Sequence, residues 1–101
     1  MTAAFNPKDW PLDRIIPWAG ENDIDCLEIA APAHLDPGDY RDKAARAALA
    51  EKLTAAGVSI SSLACYNPRI TDPAGRDEAV AILNAAIDLA GALGVEVVCA
   101  L

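Results

Sequence analysis

The stretch GALGVEVVCAL, residues 91–101, decides the fold. It reads as the end of a helix, a glycine stop at Gly94 and a buried strand. Two other stretches, DIDCLEIA at 23–30 and GVSISSLA at 57–64, follow the same plan. Each has a helix-stopping residue (Asp23, Gly57, Gly94), an apolar residue (Ile24, Val58, Val95), a polar one (Asp25, Ser59, Glu96) and then a mainly apolar run. The stops lie 34 and 37 residues apart. A left-handed residue followed by an apolar contact is a common helix ending, and glycine takes that conformation at least cost.

The segment before each stop reads as a helix. In the third, Ala79, Leu83, Ala86, Ile87, Ala90 and Leu93 recur at spacings of three and four, with Asn84 and Asp88 opposite. Asp72 and Pro73 supply its start, as a cap and a tolerated first-turn proline. The second helix spans roughly 40–56, with Ala45, Ala48, Leu49, Leu53 and Ala56 inward. The first spans roughly 12–22, and Pro17, past its first turn, should kink it. Taking MTAAF as a short first strand, the order is βαβαβαβ, four strands and three helices. Strands joined through helices are parallel, with right-handed crossovers. The period fits a (β/α)8 barrel or an open doubly wound sheet.

Composition narrows the function. At 101 residues the chain is one domain or part of one, and 22 residues are alanine, suited to close packing of helices on a sheet. Eight basic against fifteen acidic residues give a net charge of −7 and no basic run, which argues against nucleic acid as a partner. No stretch is apolar enough for a membrane span, and the start lacks the features of a signal peptide, so the cytoplasm is the expected location. Cys26, Cys65 and Cys99 are scattered, without CxxC spacing, and read as reduced thiols. With His34 the sole histidine, a zinc site of Cys and His ligands is not expected.

The wording of the units, especially WAGEND running into IDCLEI, LTAAGVSISSLA and AIDLAGALGVEVV, resembles the opening half of the sugar phosphate isomerase/epimerase family, the xylose isomerase-like TIM barrels. The resemblance covers the whole chain and implies that residues 1–101 are the N-terminal half of such a barrel, an incomplete domain with Leu101 as a truncation point or the end of a split gene. It implies metal-assisted proton transfer on a small sugar or polyol. The metal (Mg, Mn or Zn) would be held chiefly by carboxylate and histidine side chains of later strands, so this chain is expected to ligate none fully and to be catalytically incomplete alone. Its partners would be that substrate and either the missing C-terminal half or a second copy joined through open strand edges. Asp23, where the resemblance leads one to expect glycine, is a departure.

In a parallel barrel alternate strand residues point inward, and the site lies at the C-terminal strand ends. Aligning the units sets Glu28, Ser62 and Cys99 at one level, Ala30, Ala64 and Leu101 nearer the mouth, and Leu27 and Ile29 toward the helices. Glu28 is then an inward carboxylate among apolar residues, which burial would push toward acid/base use: a polar contact to substrate or to a residue of the missing half or, more plainly, a structural ion pair or a water-bound carboxylate. His34, in the loop after the second strand, is a candidate substrate contact or a solvated loop histidine. Tyr66, Asn67 and Arg69 offer an aromatic wall, an amide and a cation, or else turn chemistry around the Asn–Pro and Asp–Pro pairs. Trp10 either caps the pocket or anchors the kinked first helix. Two other readings stay in view: a non-catalytic assembly or binding module with an open parallel sheet, and an apurinic-site endonuclease, which the lone histidine and acidic charge oppose.

Overall fold

The computed structural model describes residues 1–100; Leu101, expected near the mouth, lies outside the described residues. The chain is α/β, with helices α1 (Leu12–Glu21), α2 (Lys43–Ala56) and α3 (Arg76–Leu93) and strands β1 (Cys26–Ala30), β2 (Ser59–Cys65) and β3 (Val98–Ala100). The strands are parallel in the order β1-β2-β3.

The three stops work alike. Asp23, Gly57 and Gly94 all have positive φ, 59°, 69° and 72°. The next residue in each case sends its N–H back five residues: Ile24 to the Ala19 carbonyl, Val58 to Leu53 and Val95 to Ala90. These are paired helix-end bonds closed by an apolar residue that turns into the core. Val58 is buried, and Ile24 and Val95 pack against the core. Asp23 thus does what glycine does at the other two stops, with a residue type among those that tolerate the left-handed region.

One core joins all three helices to one face of the sheet. Leu27 and Ile29 of β1, Leu63 of β2, Leu12, Ile15 and Ile16 of α1, Leu49 of α2 and Leu89 and Ala90 of α3 form a single buried cluster. Glycine matters for the packing of helix on helix at Gly20: a Cβ there would lie 2.5 Å from the Ala56 carbonyl oxygen, so α1 and α2 approach backbone to backbone. Gly20→Ala gains up to about 1 kcal/mol in helix propensity, but overpacking costs about 1–3 kcal/mol. A net loss of stability is expected, read as a lower melting temperature; an unchanged or raised one would disprove the close approach.

Four expectations need correction. MTAAF is not a strand: Thr2–Ala4 form a 3-10 helix. It nonetheless sits beside β1, where the Thr2 hydroxyl accepts the Ala30 N–H at 2.8 Å, so a side chain takes the place of a ladder bond in an alanine-containing segment with little strand propensity. The third helix begins at Arg76, because Asp72 accepts the N–H of Ala74 in a turn of its own. Residues Pro37–Tyr40 form a separate 3-10 helix, with α2 capped afresh by Asp42. Ile87 is 49% exposed, since the buried stripe of α3 runs through Ala79, Ala86, Leu89 and Ala90, and Ala48 is exposed, since α2 buries Leu49 instead.

Candidate functional site

Alternation along the strands divides the sheet residues cleanly. Leu27 and Ile29 face the helices; Glu28, between them, faces the other side and is half-buried. Glu28 lies opposite Ser62 in the register, and the buried Ser62 hydroxyl donates to Glu28 Oε2 at 2.7 Å. A hydrogen bond to a charged group in such a setting contributes about 1.5–3 kcal/mol.

Tyr66 follows β2 directly and is half exposed. Its phenol is held above the ordinary tyrosine range, first by partial desolvation and then by the Cys99 and Glu28 charges and contact with the Cys99 thiol. Carboxylate, phenol, thiol and hydroxyl therefore gather toward the C-terminal strand ends, on the sheet face the helices leave uncovered. The level expected for Cys99 is corrected: it pairs with Ala64, two residues beyond Ser62, because Val95, Glu96 and Val97 are spent in reaching the sheet.

His34 stands apart from this group. The ring is 9% exposed, and neither nitrogen finds a hydrogen-bond partner among the described residues. Burial lowers its pKa, and the Trp10 backbone, near but not in hydrogen-bonding geometry, opposes the shift weakly. The solvated alternative for this loop histidine is corrected: it is shut in because Leu35 beside it is wholly buried and draws the loop down.

Trp10 belongs to an aromatic cluster. Its ring centroid is 5.0 Å from Phe5 and 5.9 Å from Trp18, and the Arg14 guanidinium stacks 3.9 Å over it. That is the anchoring role for α1. Asn67 caps the 3-10 helix Pro68–Thr71 by accepting the Arg69 N–H. Arg69 lies against Gly75 and pairs with Glu78 at 3.5 Å. Asn67 is engaged at the start of that 3-10 helix and Arg69 at the start of α3, so of the residues expected to bind substrate Tyr66 is the one whose phenol feels the Glu28 charge.

Ser62 and Cys99 are the members of the group to which residue type alone assigned no role; the repeat alignment was the signal that could have raised them. An open groove of about 470 Å³ between α1 and α2, lined by Asp13, Ile16, Pro17, Gly20, Glu21, Lys52, Ala55 and Ala56, contains none of the expected site residues. Among the described residues no group of three His, Cys, Asp or Glu side chains is placed to hold a metal ion, and no helix is long and apolar enough to cross a membrane. Comparison with protein-family models, with curated proteins and with solved structures gave no match.

Proposed function

We propose that this chain is part of a sugar phosphate isomerase/epimerase-like (β/α)8 barrel, acting on a small sugar or polyol by proton transfer next to a carbonyl. The observation that carries this reading is the Glu28 carboxylate, held by Ser62 toward the C-terminal end of a parallel sheet with the Tyr66 phenol close by. Strands in chain order with helices on one face suit a barrel wall, whereas a doubly wound sheet reverses its order and is covered on both faces.

In this reading the Glu28 carboxylate takes a proton from the carbon beside the substrate carbonyl, leaving an enediolate. A hydroxyl proton passes between the two oxygens, and Glu28 returns its proton to the neighbouring carbon, which exchanges aldose for ketose. Tyr66, protonated well beyond neutral pH, donates a hydrogen bond to a substrate oxygen. The divalent metal implied by the resemblance does not fit the described residues, which offer Glu28 as a lone carboxylate ligand in the group. Its ligands would come from later strands of a complete barrel, as the resemblance implies.

Ligand binding by the chain itself tests the reading. Titrating aldoses, ketoses, their phosphates and polyols should shift backbone amide resonances at Glu28, Ser62 and Tyr66. Glu28→Gln should weaken that binding by about tenfold or more, the loss of a charged hydrogen bond. Shifts confined to the α1–α2 groove, or none at millimolar sugar, would refute it. A second reading, an assembly module, is favoured by the exposed Val97 beside β3 and by Val80 and Ile87 on α3. Concentration-dependent dimerisation without sugar binding would select it.

A further inference from the structure

Between Leu27 and Glu28 the register slips. Leu27 lies opposite Ile60, but Glu28 lies opposite Ser62, so Ser61 is an extra residue bulged out of β2. Had the pairing run on without a slip, Glu28 would face Ser61, and Leu63 would fall opposite Ala30 on the uncovered side. The bulge instead sets Leu63 opposite Ile29, both 0% exposed against the helices. The same slip brings the Ser62 hydroxyl against the carboxylate. Bulges re-aim side chains in this way and are over-represented beside active sites.

We propose that Ser62 is a positioning residue: the bulge at Ser61 fixes its hydroxyl on Glu28 Oε2, which leaves Oε1 as the oxygen that meets a ligand beside the Tyr66 phenol. Among the described residues Oε1 accepts no hydrogen bond, and Ser62 Oγ donates to Glu28. Carboxylate and phenol then stand as base and acid toward one bound molecule, with the Cys99 thiol alongside. This rests on the reading of Glu28 as the proton-handling group, but it can be tested without turnover.

The phenol reports where the carboxylate is. In a Tyr40→Phe background Tyr66 is the remaining tyrosine, and its phenolate absorbance can be followed with pH. Glu28→Gln should lower the Tyr66 midpoint, because one of the negative charges that hold the phenol protonated is gone. Ser62→Ala should lower it as well, toward the Glu28→Gln value, because an untethered carboxylate spends less time near the phenol. Ser62→Thr, which restores the hydroxyl, should bring the midpoint back. Thr and Val are alike in shape, so comparing Ser62→Thr with Ser62→Val isolates the hydroxyl even where both lose stability. A Ser62→Ala midpoint equal to or above the parent's, or no response to Glu28→Gln, overturns the proposal. A chain that passes but binds no sugar would lose the proposed function and keep this one; sugar binding with an unmoved phenol would do the reverse.

Discussion

Leu63→Ala should cost about 2–5 kcal/mol, the range for removing a fully buried leucine without collapse of the cavity. Leu63 is 0% exposed on the central strand, with Ile29 of β1 on one side and Val98 of β3 on the other. The surroundings cannot close in, because both neighbours are held by ladder bonds and the helices above share the same cluster. Against a total of roughly 5–15 kcal/mol for a small domain, that is about a third of the stability at the middle of both ranges, and a fall in melting temperature of about 10–30 °C. Ser61→Ala is the control: its exposed side chain lies outside the core, and a change within about 0.5 kcal/mol is expected. Equal effects from the two variants would show that β2 does not carry the core.

Acid should weaken the fold through His34. In the native chain burial holds the imidazole pKa below its ordinary value of 6.5. The unfolded chain, with an ordinary histidine, therefore takes up the proton first as pH falls. Stability is fully present above 6.5, declines below it, and stops declining once the pH passes under the lowered native value. His34→Leu removes both the titration and two orphaned nitrogens. It should raise stability at pH 7.5 by about 1 kcal/mol or more, since an unpartnered buried polar group costs about 1–3 kcal/mol. Its advantage over the parent should widen between pH 7.5 and 5, a window above the ordinary carboxylate range. Parallel stability curves for the two proteins across that window would mean that the ring is hydrated in solution.

The helix endings were the most legible feature of the sequence. Asp23, Gly57 and Gly94 announce themselves because a left-handed residue followed by an apolar one is a local signal, satisfied within six residues. Strand faces were legible for a similar reason: Leu27, Glu28 and Ile29 alternate, and a period of two leaves little choice. The match of Glu28 with Ser62 followed from the repeat. What escaped depends on partners distant in the chain. Nothing in MTAAF says that Thr2 will bond to Ala30, twenty-eight residues on. The bulge at Ser61 arises because Leu27 and Ile29 are two residues apart, whereas the matching apolar residues of β2, Ile60 and Leu63, are three apart; it emerges when the strands are paired. Ile87 has helical spacing that fits the stripe, and its exposure depends on which flank of α3 has a neighbour. The burial of His34 is of the same kind, set by Leu35 and the Trp10 loop.

The Thr2 hydroxyl makes the two margins of the sheet chemically unequal. At the Ala30 amide a newcomer would have to evict an oxygen already seated, while among the described residues no side chain occupies the β3 margin in this way. A further parallel strand would therefore meet less opposition beside β3 than beside β1, where the amino-terminal turn would first have to give up its place.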